Sequence, residues 1–281
     1  MGARSPTGLA QVHLGTVSPM TIRVGVFGAG GRMGSTVCRA VAADPELELV
    51  VAVDPFHSGI DLRQVSGADV AGQIAPDADA LAAAGVEVAV DFTTVGAARE
   101  NLSWCADHGV HAVVGTTGFE PADLDELARR FTSSNCFVAP NFAIGAVFMM
   151  RFAELAAPWF DTAEIIELHH DAKVDAPSGT AMLTASRMAA ASSVWGDDPT
   201  QSVVVEGARG GVGPAGIRVH SVRLRGLVAH QEVLLGTTGQ TLTIRHDSTD
   251  RASFMPGVLL AVKAVADKPG LTVGLDTLLG L

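Results

Sequence analysis

Apolar and polar positions along this chain fall into blocks whose rhythm changes twice. Residues 22–27 are largely β-branched, as suits a strand buried on both faces. Met33, Val37 and Val41 then recur at helical spacing up to Asp44-Pro45, and 47–53 is a second apolar run closed by Asp54-Pro55. The same grammar returns with a strand over 86–92, a helix over 96–107 and a strand over 111–114. Pro121 opens a further helix with Leu124, Leu127, Ala128 and Phe131 on one face, and 137–139 reads as a strand. Between these, 56–84 is dominated by Asp, Gly and Ala and supports only a short helix and a weak strand at 70–74. Alternation at these lengths predicts a parallel, doubly wound sheet.

After Phe142 the order changes. A long apolar helix over about 144–159 leads into a strand-like run at 165–168, and a second helix follows Pro177-Ser178 to about 193. Strand-like runs at 203–205, 217–224, 227–235 and 241–245 are parted by glycine-rich turns with no helix between them, which predicts an α+β unit on a mostly open sheet. From Ser253 the spacing of Phe254, Val258, Val262 and Val265 is helical again, stopping at Lys268-Pro269-Gly270. That last helix is expected to return to the first sheet, making the second unit an insertion. The expected division is 1–20 as a flexible extension, 21–142, an inserted 143–252, and 253–281 rejoining the first part.

The first strand runs straight into Gly28-Ala29-Gly30-Gly31-Arg32-Met33-Gly34. This departs from G-x-G-x-x-G, because Met33 stands where the third glycine belongs and Gly34 comes one place later. The physical needs are still met: a tight turn, close backbone approach to a pyrophosphate, and a helix N-terminus aimed at it. A glycine turn alone is a weak signal. Asp54, twenty residues beyond Gly34 at the end of the second strand, makes it a strong one. The expected fold is therefore α/β, a doubly wound Rossmann-type parallel sheet with an inserted α+β domain. Asp54 would accept from ribose hydroxyls and favour NADH, whereas the Arg32 guanidinium could hold the 2′-phosphate of NADPH. Both cofactors are expected to be tolerated.

Three more strand ends carry small or polar residues: Asp91-Phe92-Thr93-Thr94, Gly115-Thr116-Thr117-Gly118 and Ala139-Pro140-Asn141-Phe142. Ligands of open α/β sheets lie outside the carboxyl ends of the strands, so these segments should receive the nicotinamide.

The densest chemistry lies at 167–181, Glu-Leu-His-His-Asp-Ala-Lys-Val-Asp-Ala-Pro-Ser-Gly-Thr-Ala. Proton donors and acceptors (His169, His170, Lys173) stand just before a turn that opens a helix. The first N–H groups of a helix have no internal partner, so this is a natural anion cradle. A small, negatively charged substrate that gains a proton would suit it. The plainer alternative is a polar loop with Ser178 as a helix cap. A metal is not expected: adjacent strand residues point to opposite faces, and no third ligand has suitable spacing. His220, His230 and His246 lie in strand-like runs and read as structural.

Charge and composition narrow the field. A net charge of −11 argues against a nucleic-acid surface, and the arginines at 209, 218, 223 and 225 could at most form local carboxylate or phosphate sites. With 48% apolar and 17% charged residues the chain is globular, and no apolar run approaches a membrane span. Cys38, Cys105 and Cys136 have no metal spacing and sit in apolar surroundings, as buried thiols of a reducing, cytoplasmic compartment would. The first twenty residues lack the apolar core of a secretory signal.

Residues 167–181 resemble the signature of the dihydrodipicolinate reductases, now called 4-hydroxy-tetrahydrodipicolinate reductases. The segments 28–34, 115–117 and 139–142 resemble that family's other landmarks in the same order. The likeness runs from about Thr21 to Leu281. It implies an NADH- or NADPH-dependent oxidoreductase of the diaminopimelate route to lysine, acting on a small cyclic dicarboxylate. It also implies a cytoplasmic homotetramer assembled through the open sheet of the inserted substrate and oligomerisation domain. Carried over by position, Gly28, Ala29, Gly30, Gly31, Arg32, Met33, Asp54, Gly115, Thr116, Thr117, Ala139, Pro140, Asn141 and Phe142 would hold the cofactor. His169 would donate or accept a proton, Lys173 would donate one, and His170, Ser178, Gly179 and Thr180 would bind substrate. Pro55 stands where relatives can carry a basic residue, which leaves Arg32 as the main candidate for a 2′-phosphate. Two other classes compete. A cysteine-dependent aldehyde dehydrogenase would need a His beside Cys105 or Cys136, and a nucleotide-sensing regulator would need a DNA-binding element or basic face. Neither feature is present in the sequence.

Overall fold

The computed structural model describes residues 21–281; the expected extension at 1–20 lies outside the described residues. The first sheet is built from β1 (Ile22–Phe27), β2 (Leu47–Val53), β3 (Val88–Asp91), β4 (His111–Val114) and β5 (Cys136–Val138). Its helices are α1 (Arg32–Ala43), the short α2 (Leu62–Ser66) and α3 (Asp79–Ala83), α4 (Val95–Asp107) and α5 (Pro121–Arg130). All these strands pair in parallel. The order β5-β4-β3-β1-β2 puts the reversal of winding beside β1, where the glycine turn leaves the sheet. β3 and β4 are apolar almost throughout because helices cover both sheet faces. Cys38, Cys105 and Cys136 are free and buried, and burial pushes the Cys38 thiol up to about 12.

The second sheet follows α6 (Ile144–Ala156). It comprises β6 (Thr162–His169), then after α7 (Gly179–Ala191) the strands β7 (Gly211–Val212), β8 (Arg218–Arg223), β9 (Ala229–Thr237) and β10 (Gln240–Ser248). The order is β10-β9-β6-β8-β7. β6 runs parallel to β8 and antiparallel to β9, so the sheet is mixed. Ile165, Val233 and Leu235 pack with Met149, Met150 and Met188 of α6 and α7 in a continuous core. The chain then returns to the first sheet. In α8 (Met255–Ala264), Val258, Ala261 and Val262 are buried, and the helix lies against α1 and β4. β11 (Leu271–Val273) adds itself beside β5, and α9 (Asp276–Leu279) follows.

Three expectations need correction. Residues 70–74 form no strand; isolated bridges, Val53 with Ala75 and Asp61 with Gln73, are what that segment makes. Val203, Val204 and Val205 are exposed in a loop, because no strand lies beside them to accept the ladder. β11 was not anticipated, since its three residues give no periodicity to read.

Gly257 of α8 lies so close to Phe142 that a side chain there would enter the Phe142 carbonyl oxygen and come within 2.9 Å of Leu275. The returning helix can seat on the segment that follows β5 only without a Cβ. Gly257→Ala is expected to destabilise the fold by about 1–3 kcal/mol, the scale of overpacking against unyielding backbone. A urea titration measures it, with an unchanged midpoint as the contrary result.

Candidate active site

The first half of the site is the carboxyl edge of the parallel sheet. Gly28 turns the chain with a φ of +71°, which costs a glycine nothing. A side chain at Gly34 would run into the carbonyl oxygen of Gly28, so α1 can approach the turn only with glycine there. This accounts for the irregular spacing: Gly34 makes the helix-to-turn contact, and Met33 is a packing residue beside it. Ala29 is buried, while Gly31 and Arg32 are exposed at the start of α1. Asp54 is buried at the end of β2, where its Oδ2 accepts from the Gly30 N–H at 2.9 Å. Its Oδ1 accepts from the Phe56 N–H at 3.0 Å and lies 3.1 Å from His57 Nδ1. The His57 ring covers Gly30, a position that nothing in the sequence pattern marked.

The next two strand ends are tied together by Asp91. Its Oδ1 accepts from the Thr93 N–H and hydroxyl and from the Thr116 hydroxyl, and its Oδ2 from the Asn101 amide, all within 2.9 Å. Thr116 therefore turns its hydroxyl into the fold, whereas Thr117 is exposed beyond it. The Phe92 ring fills the space above Gly115 and tilts against Phe142 with centroids 5.8 Å apart. Ala139 is buried beside β4, donating its N–H to Val114, and Pro140 is exposed.

The second half begins where β6 ends. Strand alternation puts Ile165, Glu167 and His169 on the face toward the helices, and Glu167 is fully buried there. Arg223, register partner of His169 on β8, grips the Glu167 carboxylate through both terminal nitrogens at 2.9 and 2.8 Å. His169 Nδ1 lies 2.5 Å from Glu167 Oε2, and the Ser178 N–H donates to Oε1 at 3.2 Å. Burial alone would raise the Glu167 pKa. The hydrogen bonds from His169, Arg223 and Ser221 outweigh it and hold the group at about 2.

From His170 the chain loops outward and back. The Lys173 ammonium donates to both oxygens of Asp175 at 2.7 and 2.9 Å, an ion pair that holds the Asp175 carboxyl below its usual range. Arg223 also donates to the Asp175 carbonyl, fastening the loop to β8. Ser178 caps α7, its hydroxyl accepting from the Ala181 N–H at 3.2 Å. Its hydroxyl and N–H are both occupied within the fold. Gly179 and Thr180 are the first helical residues, so their N–H groups have no partner within the helix. Across the cleft, the Asn141 amide donates to the Thr180 hydroxyl at 3.3 Å. A small cavity joins the halves, lined by Asn141, His169, Ser178, Thr180, Gln231 and His246. Gln231 donates to Thr184 at 2.8 Å and leaves its buried carbonyl oxygen without a partner.

The cleft is cationic. Burial lowers the His170 pKa, and the positive charges of Arg32, Arg251, His169 and Lys173 lower it further. Arg32 belongs to the glycine turn and His170 to the second sheet, so the two halves share one field. The arginines at 209, 218, 223 and 225 all pair with carboxylates of the chain itself: Glu164, Asp198, Glu167 and Asp171. His220 pairs with Glu164 and His230 with Asp247, while His246 packs on Gly145. A larger hollow of about 370 Å³, beside Trp195 and Arg209, lies away from this chemistry.

Comparison with known proteins identifies the family. The family model described as dihydrodipicolinate reductase, N-terminus, covers residues 22–142, and its C-terminal counterpart covers 145–279. The chain belongs to the dihydrodipicolinate reductase family. The 4-hydroxy-tetrahydrodipicolinate reductase of Cutibacterium acnes is 53% identical over 92% of this chain and 99% of its own length. That of Nocardia farcinica is 50% identical over 93% and 100%. A dipicolinate-bound dihydrodipicolinate reductase from Paenisporosarcina superimposes with a TM-score of 0.79 at 41% identity, covering 92% of this chain and 99% of the other. An amine dehydrogenase from Mycobacterium smegmatis, 16% identical with a TM-score of 0.59 over 92% and 96% of the two chains, shares the fold alone.

Glu167, Arg251 and His57 were given no role by the sequence, while Arg223 was expected at most to form a local carboxylate or phosphate site and Asp91 only to belong to a strand end that receives the nicotinamide. One signal was available for Glu167, a carboxylate on the same strand face as buried Ile165. Its folded pKa lies below the unfolded value near 4.5, so its stabilisation is present above that value and lost as pH falls toward 2. The shift corresponds to at most about 3 kcal/mol. Glu167→Gln is expected to flatten the fall in stability across that pH window, which urea unfolding at a series of pH values measures.

Proposed function

We propose that this chain reduces 4-hydroxy-tetrahydrodipicolinate to tetrahydrodipicolinate, with the substrate seated between the glycine turn and the start of α7. The family is one of oxidoreductases of lysine biosynthesis, and its nucleotide-binding first domain implies NADH or NADPH. The cofactor assignment is supported by the glycine-only contact between α1 and Gly28 and by the buried carboxylate of Asp54. Gly28 to Met33, Asp54, Gly115 to Thr117 and Ala139 to Phe142 would hold the nucleotide. Bound NAD(P)H supplies the hydride. Arg32 would receive a 2′-phosphate where one is present, and Asp54 the ribose hydroxyls where none is, so both nucleotides serve.

One observation carries the reading of the substrate side. The Asn141–Thr180 hydrogen bond brings the carboxyl edge of the nucleotide sheet against the N-terminus of α7. A dicarboxylate in that cleft meets the Gly179 and Thr180 N–H groups, His170 and the Lys173 ammonium. Loss of the 4-hydroxyl as water leaves the conjugated ring that takes the hydride, and the negative charge that then develops is quenched by a proton from Lys173, which leaves Asp175 to reach it, with His169 assisting. Domain closure excludes water from the transfer. A homotetramer follows from the family likeness. It is supported by the outer face of the second sheet, where half-buried Ile166, Leu168 and Leu234 have no covering helix among the described residues.

The test follows NADH and NADPH absorbance while dihydrodipicolinate synthase makes the substrate in situ. Oxidation of both nucleotides is expected, and no oxidation of either by folded protein would refute the reading. Lys173→Ala is expected to slow turnover about 10²–10⁴-fold, the usual cost of losing a positioned acid. Near-normal turnover would remove Lys173 from the mechanism. Light scattering distinguishes a tetramer from smaller assemblies.

A further inference from the structure

We infer that Glu167, clamped by Arg223, is a positioning residue that fixes which nitrogen of His169 faces the substrate. The inference rests on the reading of His169 as a proton-transfer group. Glu167 itself is fully buried and cannot reach a ligand in the cleft. Its Oε2 lies 2.5 Å from His169 Nδ1, and an ionised carboxylate only accepts, so Nδ1 carries the hydrogen. Nε2 is then the free nitrogen, the one able to accept a proton from the cleft side or return it. When it is protonated, the adjacent carboxylate balances the charge on the ring.

Arg223 keeps the carboxylate in that state. Its fork occupies both oxygens at 2.9 and 2.8 Å, so the group cannot rotate away from His169. The same guanidinium donates to the Asp175 carbonyl at 2.6 Å, and Glu167 Oε1 accepts from the Ser178 N–H at 3.2 Å. One ion pair thereby sets the ring of His169, the far end of the Lys173 loop and the residue that caps α7. A plain structural salt bridge would need none of these further bonds. The Arg223 Nε, buried without a partner, shows that the guanidinium is placed for the carboxylate and the loop at the expense of its own fifth donor.

The first test reads the wild-type protein. Nitrogen-15 NMR of the histidine-labelled protein, with His169 assigned among the nine histidines by the loss of its signals in His169→Gln, reads the tautomer directly. Hydrogen on Nδ1 is expected, and hydrogen on Nε2 at neutral pH would overturn the inference. The second test is Glu167→Gln, whose amide can donate to Nδ1 and so drive the hydrogen to Nε2. Its kcat is expected to fall about 10- to 1000-fold with KM changed less than about threefold, as befits loss of proton handling at a formed site. Glu167→Asp should recover part of that loss, and nucleotide affinity by fluorescence titration should stay unchanged in both variants. Wild-type kcat in folded Glu167→Gln, alongside a crippled His169→Gln, would sink the positioning role and leave His169 in place. Wild-type turnover in His169→Gln would instead remove the proton-transfer reading, while the tautomer would still report the geometry.

Discussion

A carboxylate with no access to water must be met by donors, or the fold that buries it does not form. Glu167 meets that demand with three elements at once: Arg223 from the neighbouring strand, His169 from its own strand, and the N–H of the residue before α7. The register of β6 on β8 follows from it, since a slip of one residue would turn Glu167 to the opposite face and away from Arg223. So does the course of residues 170–177, which must return to β8 for the second bond of the guanidinium. The catalytic-looking stretch is therefore one electrostatic unit whose members cannot be moved singly.

The first sheet uses the same device. Asp91, buried at the carboxyl end of β3, gathers four donors from three segments and so shapes the floor on which a nicotinamide would rest. Each half of the cleft is thus organised by an internal acid that never faces the ligand. Around the cleft stand cationic groups and unpaired helix N–H donors, with the Asp175 carboxylate holding the Lys173 ammonium. Asn141 and Thr180 join the two arrangements across the gap.

Much of the first domain was legible because parallel strands buried on both faces leave long apolar runs, and the glycine turn and helix caps punctuate them. β1, β2 and β4 have the boundaries that their apolar runs predict. Legibility failed where local composition and tertiary partners disagree. Val203 to Val205 have strand-forming side chains but no neighbouring strand, and at 95% exposure Val204 contributes nothing to a core. Leu271 to Val273 is too short to show a period, yet pairs because β5 offers a free edge. In the site, His169, His170 and Lys173 stood out as titratable groups close in sequence. Arg223 did not, because its partner is 56 residues away and only the pairing of β6 with β8 brings them together.

The return of the chain to the first sheet bears on how the molecule assembles. β5 ends at Val138 and the strand that completes its edge begins at Leu271, so 271 − 138 = 133 positions separate two strands that share hydrogen bonds. Between them the chain must lay down the whole second sheet. α8, which covers part of the first core, is also made late. Until residues 255–273 are made, the first sheet lacks β11 at its edge and α8 on its face. Long-range closure of this kind is slow, because the entropy of a large loop is lost before its contacts form. The first sheet, begun by the part of the chain translated first, is completed by the part translated last.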